Sequence, residues 1–245
     1  MIDDTLLQEF MQGFYGYGSF NAPFWFIGME EGGGGSQDDI RKRLEAWDAR
    51  GHRELEDVTG YHRAFGITRH WDEPVKLQPT WNKLIRVLMS IKNLKPSPSD
   101  LKEYQKDHLG RENDETCLLE LMPLPSPGTS KWLYRDISSL PHLANRQSYL
   151  EEVAPIRIRH IRSQIASCNP PLVLFYGLGY MSYWQEIAGV TLEQQKLEGI
   201  YCARTKKTLF VAMKHPAAHS TGNEYFWQVG KWISAQLVSH VRHEQ

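Results

Sequence analysis

Pro23-Phe24-Trp25-Phe26-Ile27, running straight into Gly28-Met29-Glu30-Glu31-Gly32, is the stretch whose reading decides the fold. An apolar run of this length closed by glycine reads as a buried parallel strand. A second stretch follows the same pattern: Thr208-Leu209-Phe210-Val211-Ala212-Met213 leads into Lys214-His215-Pro216. Open α/β sheets bind their ligands beyond the carboxyl ends of such strands. An acidic glycine-rich loop and a His-Pro turn can therefore meet over one pocket, which is a catalytic layout.

Working outward, Thr116 to Met122 and Leu172 to Gly177 supply two more strand candidates. Helical periodicity fills the intervals. Trp81, Leu84, Ile85, Leu88 and Ile91 recur at three- and four-residue steps and mark an amphipathic helix. Asp38 and Asp39 suit the positive end of another helix, which Gly51 can close. Ile158, Ile161 and Ile165 form a third stripe, and Tyr225, Val229, Trp232, Ile233 and Leu237 a final one. Strands alternating with helices imply a parallel sheet covered on both faces. The expectation is one three-layer α/β/α domain over residues 1–245 with a central four-stranded, mainly parallel sheet. Residues 50–78, weakly periodic and rich in polar aromatics, read as a loop-rich insertion over the pocket.

Composition narrows the class. Aromatic residues make up 11% of the chain, which speaks against disorder. No apolar run has the roughly 18 residues of a membrane helix, and Met1-Ile2-Asp3-Asp4 is no signal peptide, so a cytoplasmic protein is expected. Cys117, Cys168 and Cys202 lie far apart and form no metal or disulfide framework. A net charge of −1 leaves nucleic-acid binding to local patches.

Three segments carry chemistry. Gly32 to Gly35 free the backbone to approach a ligand closely, although a flexible loop with two solvated glutamates is the plain alternative. Phosphate-cradling patterns are absent, and Glu30 and Glu31 would repel phosphate. Carboxylates at a strand end suit water activation, cation stabilisation or a metal. His215 ends a strand, with Pro216 fixing the turn and small residues, Ala217 to Gly222, following. Such a loop can lie against a DNA backbone. Leu118-Leu119-Glu120-Leu121-Met122-Pro123-Leu124 sets a carboxylate near the end of an apolar strand, where an unpartnered charge is costly. Glu120 either faces solvent, pairs with an arginine such as Arg135, or points into the pocket and reads a ligand.

These segments, in this order, resemble the uracil-DNA glycosylase superfamily. Gly28-Met29-Glu30-Glu31-Gly32 is similar to its first motif in the single-strand-selective branch, and Met213-Lys214-His215-Pro216-Ala217-Ala218 to its His-Pro-Ser-Pro motif. Glu120-Leu121-Met122-Pro123-Leu124 matches the strand where the family carries a base-reading asparagine. The resemblance implies a base flipped from DNA or met in a single strand. It puts Glu30 where the family positions water and stabilises an oxocarbenium-like sugar. It puts His215 where the base O2 gathers negative charge. Gly28, Met29, Glu31 and Glu120 would surround the base, with an aromatic among Tyr61, Phe65 and Trp71 stacking on it. Lys214, Ala217, His219 and Ser220 would meet DNA at the wedge after the His-Pro turn. Arg157, Arg159, His160 and Arg162, with Lys131 and Arg135, would add phosphate contacts; Arg159 and Arg162 share one helix face, which would otherwise be a solvated face. Neither metal nor cofactor is expected, and the chain is expected to be a monomer.

The departures redirect the substrate. An asparagine both donates and accepts, which suits uracil, whereas an ionised Glu120 only accepts and favours a cytosine amino group. If protonated, Glu120 can instead donate towards cytosine N3. The glycines after the first motif leave room for a 5-substituent. The expected substrate is therefore a hydroxymethylated or glucosylated cytosine, as in modified phage DNA. Water is the expected nucleophile and an abasic site the product, since no motif position demands Schiff-base chemistry; Lys214 is the residue to watch. Alternatives are a uracil-DNA glycosylase of base-excision repair, a non-catalytic DNA-binding module on the same fold, and a metal-dependent hydrolase using Glu30, Glu31, His215 and His219. Pro216 opposes the last, because it keeps the two histidines off one helical face.

Overall fold

The structure is a computed structural model that describes residues 2–128, 130–218 and 221–241. In chain order the first elements are α1 (Asp4–Gly13), β1 (Gly16–Gly18), β2 (Phe24–Glu30), α2 (Gln37–Ala49), β3 (Leu55–Glu56) and α3 (Val58–Ala64). Then come α4 (Pro79–Ile91), α5 (Pro98–Asp107), β4 (Thr116–Met122), α6 (Tyr134–Ile137) and α7 (Arg146–Cys168). The chain closes with β5 (Leu172–Tyr176), α8 (Met181–Ala188), β6 (Glu193–Gln194), β7 (Ile200–Arg204), β8 (Leu209–Met213) and α9 (Asn223–Val241).

The protein is an α/β fold built on one mixed sheet flanked by helices. The sheet has eight strands in the order β3-β1-β4-β2-β5-β8-β7-β6, which corrects the expected four. The four expected strands form its centre, where β4, β2, β5 and β8 pair in parallel. Each is nearly buried from end to end, which is why each reads as an unbroken apolar run. The additional strands lie outside. β1 pairs antiparallel with β4, and β7 antiparallel with β8. β1, β3 and β6 span only two or three residues, too short for any periodicity to register.

The expected helices form around buried stripes. Trp81, Leu84, Ile85, Leu88 and Ile91 of α4 are buried, as are Val229 and Ile233 of α9, and these two helices pack on each other. Ile158, Ile161 and Ile165 bury one side of α7. Ser36 caps α2 by accepting from the Asp39 amide. Residues 50–78 contain β3 and α3 before an irregular stretch, and they contribute Tyr61, His62, Phe65 and Trp71 to the interior. No described helix is long and apolar enough to cross a membrane.

Candidate active site

Because the four central strands are parallel, their carboxyl ends share one edge of the sheet. A cleft of about 1220 Å³ lies there, lined by Glu30 and Glu31 from the end of β2, Glu120 from β4, Tyr176 from β5 and His215 beyond β8. The insertion and α4 supply the opposite wall through His62, His70 and Trp81.

Glu30 is the last residue of β2, and its Oε2 accepts from the Arg146 guanidinium in the first turn of α7. Burial raises the Glu30 pKa, while Arg146 acts against the rise. Arg146 Nη1 is buried with no partner among the described residues.

Glu31 is ringed by donors. Tyr17 Oη donates at 2.8 Å, Arg43 Nη1 at 3.0 Å, and His62 Nε2 stands 3.1 Å away. Burial works against ionisation here, but Arg43, His62 and Tyr17 together outweigh it and hold the pKa at about 2. Arg43 is 7% exposed, also pairs with Asp39, and rests 4.4 Å from the centre of the Phe65 ring.

Glu120 has the opposite setting. Its Oε1 accepts from Tyr176 Oη at 3.0 Å, and its Oε2 is buried with no partner among the described residues. Burial, followed by the negative charge of Glu31, pushes its pKa up to about 8, against the Tyr176 hydrogen bond. Arg135 pairs with Asp136 and does not reach it. The link to Tyr176 runs over a glycine. Tyr176 belongs to β5 and Glu120 to β4, with β2 between them. Gly28 of β2 lies opposite Glu120, and a Cβ there would stand 2.2 Å from Tyr176 Oη. The missing side chain is what lets the tyrosine cross the middle strand. Gly28 is therefore a packing requirement rather than part of the lining.

His215 is half-buried, and its ring centre is 5.6 Å from that of Tyr176. Its Nδ1 accepts the Ala217 amide hydrogen at 3.0 Å. The neutral ring must then carry its proton on Nε2. Burial lowers its pKa, which favours that neutral form.

The glycine-rich loop folds back on α2. The Gly34 amide donates to Asp39 Oδ2 at 2.7 Å, and Gly34 holds φ +65° where a Cβ would meet the Pro125 carbonyl oxygen at 2.2 Å. Gly32 has open space around it and lines the cleft.

Other expected residues divide clearly. Met29, Lys214 and Ala217 line the cleft, with Lys214 paired to Glu198 at 2.8 Å. Phe65 and Trp71 are buried behind the wall, packed on His62, and do not border the cleft; nor does Tyr61. Trp81 and Tyr180 are the tryptophan and a tyrosine that do. His219 and Ser220 lie outside the described residues. Arg159 and Arg162 are exposed, but α7 starts at the cleft and runs away from it. At 1.5 Å per residue they stand roughly 20 and 24 Å beyond Arg146 along the helix. Arg157 is buried and unavailable to a partner: its guanidinium donates to the carbonyls of Leu121, Met11 and Glu120 and lies over Tyr15.

Sequence reasoning missed Tyr17, Arg43, His62, Arg146 and Tyr176. Tyr176 alone had a usable signal, as the last residue of an expected strand before Gly177. Among the described residues no group of three or more His, Cys, Asp or Glu side chains is placed to hold a metal ion. The chain matches no protein-family model and no curated protein sequence.

Proposed function

We propose that this chain is a monofunctional DNA glycosylase, its mixed sheet the core of a three-layer α/β/α sandwich of the uracil-DNA glycosylase kind. The substrate is a flipped cytosine-type base with a 5-substituent, hydroxymethyl or glucosyl, and the product is an abasic site. Glu120 is the observation that carries this reading. A carboxyl group with a pKa of about 8 is mostly protonated near neutrality, and one of its oxygens has no partner among the described residues. A carboxylic acid kept neutral in this way donates a hydrogen bond, and to cytosine N3 it can pass a proton.

Each step then has a group. The C1′–N1 bond breaks and its electron pair leaves with the base, whose N3 takes the proton of Glu120. His215 donates Nε2–H to the base O2 as charge gathers there. Glu30 holds the water whose oxygen bonds to C1′ and accepts the proton that water loses. Its pair with Arg146 fixes the carboxylate in place. Trp81 or Tyr180 offers an aromatic face for the base.

The same observation favours a second reading. A neutral Glu120 can donate to uracil O4 and accept from N3–H, so a uracil-DNA glycosylase fits its protonated form as well. A panel of DNAs carrying single modified bases, assayed for abasic sites, separates the readings. Release of 5-substituted cytosine supports the first. Release of uracil with the cytosines untouched replaces it by the second. DNA binding without release of any base reduces the chain to a binding module. Borohydride trapping of a covalent adduct would overturn the assignment of water as nucleophile.

A further inference from the structure

Arg159 and Arg162 stand roughly 20 Å or more along α7 from its cleft end, so the phosphates beside a flipped nucleotide need other partners. Thr80, on the first turn of α4, lines the cleft. Residues three apart share a helix face, so Thr80, Lys83 and Arg86 form one row leading from the cleft mouth. Lys83 Nζ donates to Asn223 Oδ1, at the start of α9 and shortly after the His-Pro loop, and lies 5.5 Å from the centre of the Phe226 ring. Arg86 Nε donates to Asn82 Oδ1 at 3.1 Å. Beyond them a hollow of about 250 Å³ is bordered by Arg86, Lys95, Asn223 and Trp227.

This row has no counter-charge among the described residues. Lys83 and Arg86 are half-buried, yet among the described residues neither pairs with a carboxylate, and their hydrogen bonds go to neutral asparagines. Glu224 borders the hollow without pairing with Arg86. Lys214 and Arg43, by contrast, both have carboxylate partners. Burial lowers the pKa of both Lys83 and Arg86, and Arg86 lowers that of Lys83 further. Two cations held partly out of water, side by side and without an anion, cost stability. Such a cost is offset when an anion docks. The two positions differ by about 4.5 Å of helix rise, and successive phosphates of a DNA strand by about 3.4 Å of rise.

We propose that Lys83 and Arg86 bind consecutive backbone phosphates of the DNA strand entering the cleft, directing it past the His-Pro loop. This rests on the glycosylase reading for the nature of the polyanion. Fluorescence anisotropy with a labelled duplex across a range of KCl concentrations tests it. Lys83→Gln/Arg86→Gln should weaken binding and make the log–log salt dependence shallower by about 1.8, the loss of two phosphate contacts. Lys83→Arg/Arg86→Lys should restore the slope, which separates charge from folding. Arg159→Gln/Arg162→Gln should leave it unchanged. A Gln/Gln variant that keeps the wild-type slope and affinity overturns the phosphate track and leaves the glycosylase reading intact. Wild-type protein that binds no DNA overturns both.

Discussion

Glu31 and Glu120 occupy two corners of the same cleft on adjacent strands, and their chemistry is opposite. Glu31 has three donors, including the buried Arg43, and is held ionised with a pKa of about 2. Glu120 has one neutral donor, Tyr176, and is pushed to about 8. Burial raises both, so burial does not distinguish them. The supply of positive charge does, and Glu31 then acts on Glu120 because its own charge is the next contributor to that rise. One corner is a structural ion pair. The other is a carboxyl group with an unfilled hydrogen bond. Only the second has something left to offer a ligand.

The hardest way to break this contrast is to remove the charge of Glu31. Glu31→Gln leaves Arg43 buried with Asp39 as its remaining carboxylate partner, and breaking a buried pair in this way costs about 3–5 kcal/mol. The sign with pH follows from the lowered pKa. The Glu31 contribution is present above its ordinary value of 4.5 and is lost as pH falls towards about 2. Thermal melts of the two proteins should therefore differ most at neutral pH and converge in acid. A constant difference across that range would show that Glu31 stabilises by shape rather than by charge.

Glu120→Gln should have the opposite sign. A raised carboxyl pKa means that the folded protein holds a proton the unfolded chain releases, so stability falls between pH 4.5 and about 8. The amide removes that penalty while still accepting from Tyr176. The variant should match wild type below pH 4.5 and exceed it by up to about 5 kcal/mol above pH 8 in melts. Equal stability at both ends would mean that Glu120 ionises freely. In that case its proton could not serve the departing base.

Much of this contrast was beyond the reach of the sequence, and the reason is geometric. β2, β4, β5 and β8 were legible because strands buried on both faces must be apolar throughout. Glu30, Glu120 and His215 were legible because a polar residue closing such a run stands out. The partners were not. Arg146 lies 116 residues from Glu30, Tyr176 lies 56 from Glu120, and Arg43 with His62 reach Glu31 from α2 and α3. Nothing local marks them, since an arginine in a helix's first turn or a tyrosine ending a strand is unexceptional by itself. The short outer strands were silent for a different reason: two or three residues do not establish a period. Phe65 and Trp71 were aromatic and in the right interval, but core packing and ligand stacking call for the same residue types, and here the core has them.

Tyr176→Phe gives the smallest effect and the finest test of the Glu120 corner. The ring still crosses Gly28, so packing is kept while the hydroxyl donor to Oε1 is lost. One hydrogen bond of this kind is worth about 1 kcal/mol, and melts should show a loss of that order. The hydroxyl also lowers the Glu120 pKa, so its removal should carry the titration further above 8. Carboxyl-carbon NMR of labelled glutamate, assigned by comparison with Glu120→Gln, reads that shift without any substrate. A glycosylase whose turnover needs a protonated Glu120 should then keep its activity to higher pH than wild type. If the carboxyl titration moves and the alkaline limb of activity does not, Glu120 holds the base without protonating it. If neither moves, Tyr176 is a packing residue, and the two corners differ by the donors around Glu31 alone.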